Sequence, residues 1–444
     1  MTTDTITATN SYLRDFTGSD VGSEASAPEW LRALRARAAA RFAAVGFPTR
    51  RNEEWRFTNV SPIVETPFAL ANAAQSYLTA EGLRSFTYEG MGGTQLVFVN
   101  GHFHADLSSP VFPAGVVVSS LAEAMETAPE LVQFQLGQSA QFDTQAFVAL
   151  NTAALEDGAF IHIKRGVVVE EPIHLLFVSV PAAGPTVSHP RTLIVAEENC
   201  QATIVESYSG TADQVYFTNA VTEVSVAENA VLDHYKVQRE SLKAYHIATM
   251  QLQIARSANF SSHSIALGGR LVRNEANAYL GGEGIECTLN GVYLGNDHQV
   301  IDNHTAIDHA MPRCNSHEVY KGILDGHSRG VFNGKIFVRQ DAQKTDAKQT
   351  NQTLLLSPTA LIDTKPQLEI FADDVKCTHG ATIGQLSDEA EFYLRARGIP
   401  KEQARALLTY AFASDIVSRI KIDAIRAQLD QVLLADRGLE GIVL

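Results

Sequence analysis

Cys377 and His379 are the two side chains whose types and spacing best suit metal chemistry. They lie in KPQLEIFADDVKCTHGATIG, Lys365 to Gly384, which reads as a strand, a turn at Ala372-Asp373-Asp374, and a second short strand ending at glycine. Side chains of an extended chain alternate with period two, so both leave the backbone on one side. Their Cβ atoms would stand roughly 7 Å apart, two steps of about 3.3 Å. Thiolate and imidazole form a borderline-soft pair suited to iron, zinc or copper. Two donors do not close a tetrahedral site, so a metal held here takes further ligands from elsewhere. Spacing alone equally describes the commoner case of a packed thiol beside a satisfied imidazole. Local charge pulls the thiol both ways: Lys376 and His379 favour the thiolate, Asp373 and Asp374 oppose it.

Further donors crowd between residues 298 and 327: His298, His304, His309, His317 and His327. Cys314 precedes His317 by three residues, a legitimate ligand spacing, but one pair without a second is a poor zinc signal. These histidines read as surface or turn side chains, some of which would stack if neighbouring segments lie on adjacent coils. Cys200, Cys287 and Cys314 are assigned to packing, since free cysteine is among the most buried residue types. Catalytic templates are missing from the sequence. It has no Gly-x-Ser-x-Gly elbow and no Walker A loop, and GGRLVRNEANAYLGGEG does not match a dinucleotide fingerprint. The chain is therefore not expected to bind ATP. Asp297, Asp302 and Asp308 are spaced loosely enough to permit a carboxylate-lined groove, the mark of a solenoid acting on polysaccharide.

Bulk properties narrow the choice. A formal charge of −15 argues against nucleic acid as a partner. No apolar run approaches the ~20 residues of a membrane span. Four cysteines in 444 residues make no disulfide framework and read as reduced thiols, hence a cytoplasmic address. The opening MTTDTITATNSYLRDFTGSDVGSEAS lacks a basic and an apolar region, so it reads as a partly disordered lead-in rather than a signal peptide.

The elements that must position these residues follow from periodicity. Ser26 and Pro28 start a helix with Trp30, Leu31, Leu34, Ala38 and Phe42 on one face, stopping near Gly46. Thr49 to Ile63 mixes basic, acidic and aromatic residues, suiting either a docking surface or a solvated face with one buried indole. From TQLVFVNGHF, Thr94 to Phe103, short β-branched and aromatic runs alternate with Gly, Asn and Asp; a helical pattern shows only over Leu121 to Phe147. Aligning Asn199, Asn229 and Asn259 gives a period of 30 residues, with Ile194, Val224 and Ile254 five before each. Repeats of this length indicate a solenoid of parallel strands, with an antiparallel sandwich as runner-up. An Asn-Gly pair, Asn333-Gly334, lies later. At the C-terminus Ser387 caps a helix that ends at Gly398, Pro400 opens a second, and Ile422 to Leu434 forms a third. Helical ends of this kind would cap the terminal coils.

AQKTDAKQTNQTLLLS (Ala342 to Ser357), the Lys365 to Gly384 string, YKGIL (Tyr320 to Leu324) and FNGKIFV (Phe332 to Val338) together resemble the SufB/SufD family of iron–sulfur cluster assembly proteins. The likeness is close from about Asn290 through the C-terminal helices and looser over the rest. KCTHGAT resembles the SufD branch; SufB carries a HEAT-like sequence there, and many SufB proteins have clustered N-terminal cysteines that this chain lacks. The resemblance implies a mainly β protein: a right-handed parallel β-helix core (93–385) flanked by N-terminal (1–92) and C-terminal (386–444) α-helical domains. It implies a non-catalytic scaffold that pairs with a SufB-like subunit, docks the SufC ATPase on its C-terminal helices, and shares a transient iron–sulfur cluster at a subunit interface. His379 is the first candidate ligand and Cys377 the second. Some family complexes are associated with flavin, but this sequence shows no flavin motif. A SufB-like homodimeric scaffold, or a homodimer in isolation, remains an alternative.

Overall fold

A computed structural model describes residues 27–71, 78–109, 112–211 and 213–435. The polar lead-in at residues 1–26, including the helix start read at Ser26, lies outside them. From Gly158 onward the chain lays strands alternately into two ladders whose neighbours run parallel. One ladder ends with Val300–His309, Arg329–Val338 and Leu361–Ile370; the other ends with Asn315–Leu324, Asp346–Leu355 and Lys376–Gly384. The result is a parallel β-solenoid of about 8 turns. Among the described residues antiparallel pairing occurs only near its start, where Val116–Ser120 meets Gly158–Ile163, Thr94–Val99 meets His102–Phe103 and Gln95 bridges Ser109.

One corner of the solenoid shows how the repeat is built. Asn199, Asn229, Ser257, Arg313 and Lys344 all take positive φ, as do Gly166 and Gly284. The backbone N–H of each donates to a carbonyl one coil further on, Asn199 to Glu228 and Asn229 to Arg256 among them. The left-handed turn thus aims a donor along the stack, a backbone state that Gly and Asn tolerate best. The constant 30-residue period does not hold. Ser257 rather than Asn259 is the third turn residue, and Val224 pairs with Leu252, not Ile254. The slip is two residues, so it keeps every side chain on its own face.

Alternate strand residues fill a narrow core in which Ala202, Leu232, Phe260 and Cys287 share one column. Cys200, Cys287 and Cys314 are buried there, as packing predicts. Asn333-Gly334 makes no hairpin and lies within a straight strand. A Cβ on Gly334 would fall 2.2 Å from Nε2 of Gln349, so the glycine is needed for close approach across the core.

Helix Glu29–Val45 buries Leu31, Ala38 and Phe42, the face its sequence marked. It packs on Ala146–Ala153, the last of three short helices with Leu121–Thr127 and Pro129–Gln135. Glu223 ties this helical insertion to the solenoid. It accepts from the backbone N–H groups of Gly137, Ser139 and Ala140 and from Arg191. At the other end Ser387 caps Asp388–Arg395, and Gly398 turns with φ 88°. Helices Lys401–Val417 and Asp423–Ala435 bury Ala413, Ile416, Val417, Ile425, Leu429 and Leu433 against Val237, Ile265, Val292 and Ile323. Those four are outward residues of the solenoid wall. The C-terminal helices therefore lie along its side and do not cap its end, contrary to the sequence expectation.

Candidate functional site

Because the helices pack on the wall, none of the described residues covers the last coil. Leu361–Ile370 and Lys376–Gly384 are the terminal strands of their ladders, each hydrogen-bonded on one edge only. Natural sheets blunt such an edge or pair it. Here it is flanked by exposed apolar side chains: Leu361, Phe371 at 58 % and Ile383 at 50 % exposure. Cys377 and His379 both belong to this final strand, in register with Ala347 and Gln349 of the coil below.

Cys377 is half-buried and packs against the small cluster of Ile336, Val338, Ala342 and Ala347. It therefore points inward, and His379, two residues on, shares that face while remaining exposed because no further coil covers it. Burial pushes the Cys377 thiol up, opposed by the backbone N–H of Ala347 and reinforced by Asp346. Of the neighbours weighed from sequence, Asp374 is engaged elsewhere, paired with Lys344. Among the described residues no three His, Cys, Asp or Glu side chains converge as a metal site. The two donors fit an incomplete site that borrows ligands, and do not fit a closed one.

The structure separates most of the other candidates. Cys314 is buried with Sγ donating to the carbonyl of Gly282 at 3.1 Å, whereas His317 is exposed, so the Cys-x-x-His pair does not form. His298 and His327 stack on adjacent coils, ring centroids 5.1 Å apart and planes 5° from parallel. His309 is buried with Nε2 2.9 Å from Ser316 Oγ, and burial pulls its imidazole down to about 4. Asp308 pairs with Arg339, and Asp302 is fully buried against Arg273, so both carboxylates are held in ion pairs.

Two features escaped sequence reasoning. The segment Thr49 to Ile63 docks on its own solenoid: Arg273 stacks on Trp55 and bonds Asp302 and Glu275, while His304 bridges Asp302 and Glu54. The mixed charge of Arg50-Arg51-Asn52-Glu53-Glu54-Trp55 was the available signal. Second, the core of the last coils is polar. Glu318, Gln349, Asn351 and Thr353 are all buried, and Glu318 is pushed up to about 7 by burial, against the hydrogen bonds of Thr305 and Gln349. Alternation within AKQTNQT, Ala347 to Thr353, already carried that pattern.

Comparison with known proteins agrees with this architecture. The family model for the SUF system FeS cluster assembly SufBD core domain matches residues 178–412, and that for the SufBD protein N-terminal region matches residues 6–175. An iron–sulfur cluster assembly SufBD family protein of Synechocystis is 35% identical, over 86% of each chain. Iron–sulfur cluster assembly protein SufD of Escherichia coli is 33% identical, over 86% of this chain and 88% of its own. SufD of Bacillus subtilis is 26% identical, over 95% of this chain and 96% of its own. With both models matched in tandem and relatives aligned along most of its length, the chain belongs to the SufBD family of iron–sulfur cluster assembly proteins.

Proposed function

We propose that this chain is a non-catalytic scaffold subunit that seats its open last coil against a SufB-like subunit and helps hold a nascent iron–sulfur cluster as cargo. The observation that carries this reading is the placement of Cys377 and His379, two soft donors on one face of an uncovered, half-paired final strand. An incomplete site at an edge lets a partner finish the coordination and later release the cargo, which a closed structural site resists. A SufC-type ATPase docks on the C-terminal helices, where Phe392 and Tyr393 are exposed on Asp388–Arg395. Work of this kind belongs in the cytoplasm, and it suits a chain whose four cysteines are all free. No helix of the described residues is long and apolar enough to cross a membrane. In isolation the same edges can receive a second copy, giving a homodimer. The test is co-expression with SufB-like and SufC-like partners. His379→Ala should lower cluster yield while the complex still forms, and an unchanged yield overturns the ligand role.

A further inference from the structure

The inward column that ends at His379 continues below it through Gln349 and Glu318, which are partners in register on three consecutive coils. Gln349 is 2% exposed and Glu318 1%. The Gln349 amide donates from Nε2 to Glu318 Oε2 at 2.7 Å. The amide is held from a second side by the bare backbone of Gly334, whose missing Cβ leaves room for it. Its other arm, Oε1, is buried and has no hydrogen-bond partner among the described residues. An amide is planar, so the arm not engaged by Glu318 is turned away from that carboxylate. A parallel neighbour stands about 4.8 Å away in the ladder direction, and the neighbour on that side is His379.

A buried acceptor without a donor is rare and costly, and a ligating imidazole characteristically gives its second N–H to a carbonyl or carboxylate oxygen. We propose that Gln349, braced by Glu318, is a positioning residue for His379: its amide oxygen accepts the imidazole N–H on the inner side of the ring. The other ring nitrogen then keeps its lone pair and faces the open end. Glu318 acts at one remove by fixing which way the amide points. This assignment rests on the reading of His379 as a ligand for its use, though not for its geometry.

The test uses the full chain with ¹⁵N-labelled histidine, above the pH at which imidazole titrates, with the His379 signals identified by their loss in His379→Ala. Two-bond proton–nitrogen spectra separate the tautomers. The wild-type chain should show one tautomer at position 379, and Gln349→Leu should show both. The exchange Glu318→Gln with Gln349→Glu keeps the bonded pair and an acceptor at 349, and should restore the single form. In the assembled complex Gln349→Leu should lower cluster yield roughly tenfold. Mixed tautomers in the wild type overturn the proposal without any variant, and so does a tautomer indifferent to Gln349→Leu. If the tautomers behave as stated while His379→Ala leaves cluster yield unchanged, only the ligand reading falls.

Discussion

Arg273 lies over the indole of Trp55, its guanidinium carbon 3.8 Å from the ring centroid, and so joins the N-terminal segment to the middle of the solenoid. The same guanidinium bonds Asp302 at 2.6 Å and the carbonyl of Glu54 at 2.7 Å. Removing it leaves the Asp302 carboxylate buried with one fewer partner. Arg273→Ala should cost about 3–5 kcal/mol in urea unfolding. Trp55→Ala, which removes only the stacking surface, should cost less than Arg273→Ala in the same experiment. Equal losses would place the energy in the aromatic contact instead.

His304 makes that junction pH-dependent. Burial and Arg273 oppose its charged form, but Asp302 and Glu54 outweigh them, and its imidazole is raised above the usual value. A raised folded-state value means the folded chain holds the proton more tightly. The contribution is complete below about 6.5 and is lost as pH rises through the folded value. His304→Gln should flatten that part of the stability profile. A wild-type profile with no decline there would contradict the pairing.

Glu318 acts in a lower window. Its carboxyl ionises at about 7 in the folded chain and near 4.5 otherwise. The contribution of Glu318 to stability should therefore fall as pH rises from about 4.5 to 7, by an amount on the order of 3 kcal/mol. Glu318→Gln keeps the shape and removes the ionisation, so its stability relative to wild type should rise across this interval and lie above wild type at pH 8. Paired denaturation curves at both ends of the interval decide it.

Thiol chemistry separates Cys377 from the rest. Cys200, Cys287 and Cys314 are buried in the core, and burial pushes each thiol up. Native protein treated with an alkylating reagent should gain one adduct per chain, at Cys377, and slowly. Urea-unfolded protein should gain four. Intact-mass measurement counts them, and Cys377→Ser should reduce the native count to zero.

Ile383 tests the uncovered edge. A lysine on an exposed edge strand opposes strand addition without disturbing the fold. Ile383→Lys should weaken association with a partner subunit, or with a second copy, by at least tenfold in sedimentation. It should change folding stability by no more than about 0.5 kcal/mol. Unaltered association would move the interface elsewhere.

The solenoid was legible because its strands alternate and break at Asn, Gly and Asp. Its repeat length was not, because turns of different size restore the same face as long as they differ by two residues. Asn259 therefore passed for a turn residue that is in fact Ser257. The capped helices around Ser387, Gly398 and Pro400 could be read because each boundary is a local chemical event. Where those helices dock could not, since an apolar stripe does not name the surface it covers. Cys377 and His379 were placed on one face by alternation alone. The coils beneath them became visible only once Gln349 and Glu318 were brought into register across about thirty residues each.

The bare last rung also has a geometric consequence for whatever binds it. A strand added there would inherit the hydrogen-bond spacing of Lys376–Gly384 and could settle only at offsets that differ by two residues. Any single-residue slip would turn the newcomer's inward side chains to the outside. A companion that docks by strand addition would thus have its own donors delivered opposite Cys377 and His379 by backbone pairing, before any metal is present to organise them.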